Sequence, residues 1–373
     1  MQLASHRDHL ADLAARDRLR TLAPRRGIDF SSNDYLALAS SPRLREAAAA
    51  ALERGVALGS GGSRLLRGND PEHEALEQEG ARFFGSAAAL FFGSGYAANC
   101  ALFAALPQAG DLVVYDTLVH ASAHDGMRLG RAETVAAAHN DAGAVAATIA
   151  GWRARGGTGT PWIAVESLYS MDGDRAPLAD LAAVAEQHDA ILVIDEAHAT
   201  GVWGDRGRGL AESLDGRDNV ITLKTFGKAL GCEGALVCSS RLVRDFLVAR
   251  ARPFIFSTAP APLAAAVARA ALAILADEPE RRARLHALVA HAGARLHALG
   301  ATVTGTQVMP LLIGDDRAAL DLAAAMQQRG FDVRAIRPPT VPAGSARLRL
   351  SLTLHVGAAE IDSLADALAE ARR

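Results

Sequence analysis

Lysine is almost missing from this chain. Of 39 basic residues only two are lysines, Lys224 and Lys228; the rest are arginines. Any chemistry that needs a side-chain primary amine therefore has two positions to draw on, four residues apart. Cysteine is scarce too. Cys100, Cys232 and Cys238 are odd in number and fit neither a disulfide framework nor a zinc spacing, so a reducing cytoplasm is the expected setting. There is no excess of one charge. A net of −3 over 373 residues gives no electrostatic footprint for nucleic acid or an anionic membrane. Long hydrophobic runs are also lacking. The most apolar window, Ala87 to Leu106, is interrupted by Gly93-Ser94-Gly95 and Asn99 and would make a poor membrane span. The start, Met1-Gln2-Leu3-Ala4-Ser5-His6-Arg7, has no apolar core behind a basic end, so no secretory leader is expected. What is present is ordinary globular material: half the residues are hydrophobic and 22% charged, which argues against disorder.

The alternation of Leu, Ala, Asp and Arg through Leu10–Leu19 predicts a short amphipathic helix, followed by a basic link through Pro24-Arg25-Arg26-Gly27. From about residue 85, short apolar runs alternate with Ala-rich helical stretches such as 142–155 and 178–188. Six runs read as strands: 88–92, 112–115, 162–166, 190–195, 220–223 and 235–238. Continuous apolar strands alternating with helices predict an α/β protein with a mainly parallel sheet covered on both faces. A long helical run is expected from Pro260 to Leu299. A smaller α+β unit should follow, with strands near 308–313, 332–336 and 347–353 and helices near 317–329 and 358–369.

In such a sheet, ligands bind beyond the carboxyl ends of the strands, so the residues after each strand carry the chemical information. Gly93-Ser94-Gly95-Tyr96 opens a helix whose backbone N–H groups could meet an anion, or simply forms a tight turn. It is neither a nucleotide P-loop nor a full dinucleotide fingerprint. After the second run come Asp116, His120 and Ser122; after the third comes Ser167-Leu168-Tyr169-Ser170-Met171-Asp172-Gly173-Asp174. Alone, neither segment is specific. The run Ile191-Leu192-Val193-Ile194 ends in Asp195, with His198 three residues on. That pair could begin a metal site, cap a helix, or hold a cationic heterocycle. The run at 220–223 leads into Lys224-Thr225-Phe226-Gly227-Lys228. Most lysines are solvated surface groups, but here arginine serves the surface, which weakens that reading for this pair. A lysine for a Schiff base, an aspartate for a pyridinium nitrogen and an anion-binding helix end together suit pyridoxal 5'-phosphate (PLP).

Asp195-Glu196-Ala197-His198-Ala199-Thr200-Gly201, followed by Thr225-Phe226-Gly227-Lys228, resembles the α-oxoamine synthases, which are fold-type I PLP-dependent enzymes. Colinear matches run from about residue 30 to the end: Ser32-Asn33-Asp34-Tyr35-Leu36, Gly59-Ser60-Gly61-Gly62-Ser63-Arg64, Ser170-Met171-Asp172-Gly173-Asp174, Phe254-Ile255-Phe256-Ser257-Thr258 and Arg347-Leu348-Arg349-Leu350-Ser351. The stretch Arg64-Leu65-Leu66-Arg67 departs from the small residues that usually follow the glycine-rich motif. The resemblance implies a large PLP-binding domain with a mainly parallel seven-stranded sheet over 33–265. It also implies an N-terminal arm over 1–32 and a small C-terminal α+β domain over 266–373.

It further implies that Lys228 carries the cofactor and serves as the base at Cα, and that Asp195 pairs with the ring nitrogen. His120 would stack on the ring, while Ser170 and His198 would partner the ring hydroxyl. Gly95 and Tyr96 would offer backbone to the phosphate and Thr225 a hydroxyl. Thr258 would reach a phosphate in the second subunit of a homodimer with shared sites. Arg349 would clamp the amino-acid carboxylate, aided by Asn33, and Arg20 would meet the acyl substrate. Thr225-Phe226-Gly227-Lys228 and Gly234-Ala235 favour the acyltransferase branch that condenses L-alanine with a pimeloyl thioester. The competing readings are a glycine-using sister synthase, an aminotransferase, a non-catalytic PLP-binding module, and a metal hydrolase on Asp195 and His198.

Overall fold

The computed structural model describes residues 2–372. By mutual packing the chain divides into two compact units. The larger is Leu36–Tyr169 with Arg175–Arg282; the smaller takes the chain up to Tyr35, the piece Ser170–Asp174 and the part from Ala283 onward.

The larger unit is built on a seven-stranded sheet: β1 (Ala88–Phe92), β2 (Leu112–Asp116), β3 (Glu133–Ala137), β4 (Pro161–Glu166), β5 (Ile191–Asp195), β6 (Val220–Thr225) and β7 (Ala235–Ser239). Their spatial order is β1-β7-β6-β5-β4-β2-β3. Only β7 runs against its neighbours, so the carboxyl ends of the other six strands share one edge. The six apolar runs all form strands. β3 was not expected. It is an edge strand whose Glu133, Thr134 and Ala136 are exposed, so it carries no apolar run to betray it.

Strand parity assigns each side chain to a face. Val113, Val193, Ile221 and Leu223 pack under helices α1 (Gly95–Ala105) and α2 (Ala121–Leu129). Leu112, Val114, Leu192, Ile194 and Val220 face the opposite layer, with Val145 and Ile149 of helix Ala142–Ala154 and Leu181 of helix Leu178–Gln187. Along the central strands both faces are buried, as continuous apolar strands require.

In the smaller unit, β8 (Val308–Gly314), β9 (Ala335–Ile336) and β10 (Ala346–Ser351) form an antiparallel sheet with β10 central. The strand expected over 332–336 is split. Phe331–Asp332 pairs instead with Ile28–Asp29, and only Ala335–Ile336 joins β10. The helical run past Pro260 is also two helices, Pro262–Asp277 and Pro279–His297. Proline disfavours helical dihedrals in the residue before it, and Glu278 sits at φ −120°, ψ 59°. The N-terminal helix forms over Ala4–Ala15 but buries none of its residues, so its alternation serves no packed face. Among the described residues no helix is long and apolar enough to cross a membrane.

Candidate active site

At the shared strand edge of the larger unit, β5 and β6 are paired in parallel, with Asp195 opposite Leu223 and the Glu196 N–H donating to the Leu223 carbonyl. Asp195 follows the parity of Val193 and so lies on the α1/α2 side. Its Oδ1 accepts the Ala197 N–H at 2.9 Å and its Oδ2 accepts from Asn99 Nδ2 at 2.8 Å. Beyond β6, the turn Phe226–Gly231 carries Lys228, half-buried, with Nζ 2.7 Å from His198 Nε2. His198 is itself buried. The amine and the histidine are thus brought together, and the acid ends the adjacent strand.

His120 caps α2, its Nδ1 accepting the Ser122 N–H. Burial depresses its pKa; the charge of Asp195 opposes that and the charge of Lys228 adds to it, so the imidazole stays neutral within reach of both. Gly95 opens α1, with Ser94 as cap accepting from Ala97 N. The first amides of a helix have no intrahelical partner, and those of Gly95 and Tyr96 hold that position. A Cβ at Gly95 would lie 3.8 Å from Thr225 Oγ1, so helix end and hydroxyl adjoin. Tyr96 is exposed, and its own hydroxyl donates to Asp125.

Thr258 is exposed on a segment tied to the glycine-rich loop. The Ala259 N–H donates to the Gly62 carbonyl at 2.9 Å, and the Pro260 carbonyl accepts from Ser60 Oγ and His73 Nε2. Arg64, in the stretch that departs from the family pattern, makes a two-point pair with Glu77 and lies over the Phe254 ring.

In the smaller unit, Arg349 on β10 is buried. It donates from Nε to the Ser170 carbonyl at 2.5 Å, from Nη1 to Ser351 Oγ, and from Nη2 to Asn33 Oδ1 and Tyr35 Oη. The hydroxyl of Tyr35 in turn donates to Asn33 Oδ1 at 3.1 Å. Arg20 donates to Thr340 Oγ1 and lines a cavity of about 680 Å³ with Arg18, Arg334 and Arg337.

Three features escaped the sequence reading. Lys224, Glu196 and Asp215 form a buried cluster on the face of the sheet opposite Asp195: Lys224 Nζ lies 2.5 Å from Glu196 Oε2 and 2.9 Å from Asp215 Oδ2. Period-two alternation next to Asp195 and Thr225 was the available signal. Asn99 and Tyr35 are the others; each is a polar residue in a buried setting, which calls for a partner. Among the described residues no group of three His, Cys, Asp or Glu side chains is placed to hold a metal ion. The buried thiols are not nucleophiles: burial raises the Cys100 pKa and pushes that of Cys238 up to about 12.

A sheet of this order, with a lysine beyond β6 and an acid ending β5, defines a class. The family model for aminotransferase class I and II matches residues 25–368, and the chain belongs to that family. Within it, the chain is 47% identical over 345 residues to an 8-amino-7-oxononanoate synthase of Anaeromyxobacter dehalogenans (strain 2CP-1 / ATCC BAA-258), covering 92% of this chain and 85% of that one. Among solved structures it is similar to a serine palmitoyltransferase from S. paucimobilis with a bound PLP–myriocin aldimine, at TM-score 0.88 and 27% identity over 99% of this chain and 97% of the other. It is also similar to an 8-amino-7-oxononanoate synthase from Francisella tularensis, at TM-score 0.77 and 26% identity over 92% of this chain and 97% of that one. The fold is the fold-type I architecture of PLP-dependent enzymes, with a mixed seven-stranded sheet.

Proposed function

We propose that this chain is a PLP-dependent acyltransferase that condenses L-alanine with a pimeloyl thioester, with loss of carbon dioxide and of the thiol, to give 8-amino-7-oxononanoate for biotin synthesis. One observation carries the reading: a half-buried lysine amine held 2.7 Å from His198, on the strand edge where Asp195 ends β5. The 47% identity over 92% of the chain supports the particular reaction.

The residues present fit the cofactor. Lys228 offers the amine for its aldehyde, and Asp195, which accepts N–H donors on both oxygens, offers a fixed anion for its pyridine nitrogen. The amides of Gly95 and Tyr96 and the hydroxyl of Thr225 offer an anion site for its phosphate. When bound, PLP supplies a cationic ring that accepts the electrons left on Cα as its proton departs.

The protein's own groups supply the rest. Lys228 Nζ takes the Cα proton and returns it after carbon dioxide has left, and His198 beside it fixes where that amine points. His120, neutral, would cover the ring face and so orient the bound substrate, which is catalysis by orientation. His198 would partner the ring hydroxyl. Arg349 takes the alanine carboxylate with its planar fork, and the hydrogen bonds it makes through Asn33, Tyr35 and Ser351 keep that fork in one orientation. Arg20 meets the distal end of the acyl chain.

Thr258, exposed and anchored to the glycine-rich loop, would contact the phosphate of a second subunit, which makes a homodimer the working unit; the setting we infer for it is the cytoplasm. Phe256, 70% exposed two residues earlier, fits burial against that subunit. Incubation with alanine or glycine and a panel of acyl thioesters, with the amino ketone identified by mass, tests the reaction; alanine with the pimeloyl thioester is the expected pair. Product from glycine alone would overturn the substrate assignment. Light scattering of the purified protein tests the dimer.

A further inference from the structure

Asn99 is an amide in the middle of an apolar helix. Its neighbours on α1, Ala98, Ala101, Leu102 and Phe103, pack into the core, and Asn99 is 3% exposed. A buried amide is costly without partners, so the partners it has define its use. One N–H goes to Asp195 Oδ2 at 2.8 Å and the other to Ser122 Oγ at 3.0 Å. Both hydrogens of Nδ2 are therefore directed, one at the acid and one at α2.

The orientation of the amide follows from its neighbours. An ionised carboxylate only accepts, so Nδ2 and not Oδ1 must face Asp195. Ser122 Oγ accepts from Asn99 and lies 2.8 Å from His120 Nδ1, which already accepts the Ser122 N–H. A nitrogen that accepts carries no proton, so the Ser122 hydroxyl donates to it. The hydrogens run one way, from Asn99 through Ser122 to His120, and the amide has no second arrangement available. The helices must also come close for Ser122 to be reached. A Cβ at Gly126 would lie 2.8 Å from the Asn99 carbonyl oxygen and 3.0 Å from Phe103 Cβ, so glycine at 126 is what allows the approach.

We propose that Asn99 is a positioning residue for Asp195: its amide donates to Oδ2 and keeps the carboxylate in one rotamer for the cofactor's ring nitrogen. The inference rests on the PLP reading above. Without Asn99, Asp195 Oδ2 loses its side-chain donor, the carboxylate turns about its Cβ–Cγ bond, and its hold on the pyridinium proton weakens.

The test binds PLP labelled with ¹⁵N at the ring nitrogen to the wild-type protein, Asn99→Leu and Ser122→Ala, and reads the nitrogen shift and the PLP dissociation constant. Asn99→Leu keeps the branched shape and removes the donors. It is expected to move the nitrogen toward its unprotonated shift and to weaken PLP about 10- to 100-fold, the worth of a hydrogen bond to a charged group. Ser122→Ala spares the bond to Asp195 and should leave the shift unchanged and PLP affinity within about 3-fold. If Asn99→Leu does not fold, Asn99→Ala, which adds no bulk, should move the nitrogen in the same direction. A wild-type shift and affinity in the Asn99 variant overturns the inference. So does a Ser122→Ala protein that moves the nitrogen as far, since that would make helix packing, and not the amide, the cause. Wild-type protein that takes up no PLP overturns the functional reading itself, and is told apart because no variant is needed to see it.

Discussion

The two lysines stand four residues apart and live in opposite environments. Lys224 is inside β6, wholly buried, and points to the face away from α1 and α2. Its ammonium meets Glu196, Asp215 and the Arg208 carbonyl, and lies over the Phe84 ring. Burial opposes its charge, but the two carboxylates overcome that and hold its pKa above the ordinary lysine value. Asp215 is raised as well, by burial first and in spite of Lys224. The two shifts pull in opposite senses for an ion pair. We take the cation as the firm member, because one ammonium faces two acids. Lys228, past the end of the strand, is half-buried and faces a histidine. A strand interior next to paired acids makes a structural ion, whereas a turn beyond the strand makes a group free to change its bonding. Position relative to the strand end, more than residue type, separates the two roles.

That contrast can be broken from either side. Lys228→Ala should lower turnover by at least about 10³-fold while the melting profile stays near wild type; a borohydride-reducible adduct that survives in this variant would sink the assignment. Lys224→Met should do the reverse. Leaving Glu196 and Asp215 buried without their cation costs about 3–5 kcal/mol, read as a lower urea midpoint, while reduction with borohydride should still label residue 228. A smaller change sharpens the point. Thr222 Oγ1 donates to Asp215 Oδ1 at 2.7 Å, so Thr222→Val should cost about 1 kcal/mol with turnover unchanged. The least conspicuous effect is on pH. A raised folded-state pKa means that stability from Lys224 is fully present below about 10.5 and is lost as pH rises through the folded value. Urea midpoints on either side of pH 10.5 should fall more steeply above it in the wild type than in Lys224→Met.

Much of this was legible in the chain. Apolar runs gave six of the seven strands, because a strand buried on both faces must be apolar throughout. The seventh, β3, lies at the sheet edge and needs little burial, so its residues carry little signal. The PLP assignment rested on Asp195 and Lys228, which follow apolar runs and so had to fall on one edge of a parallel sheet. Tertiary partners were harder. Nothing local marks Asp215 as the neighbour of Lys224, or Tyr35 as a support for Arg349, since those pairings depend on how distant segments meet. Asn99 was visible as an interruption in an apolar window, but its partner was not. The break at Pro279 was readable from proline alone; the helical composition on both sides concealed it.

The scarcity of lysine has a practical outcome once the positions are known. One side-chain amine is sealed in the interior and the other is half-buried at the proposed cofactor site, so the exposed cationic surface is arginine. Amine-directed reagents such as activated esters, which spare guanidinium groups at neutral pH, therefore meet a side-chain amine only at position 228. Their uptake then becomes a direct gauge of how much of that amine is unoccupied.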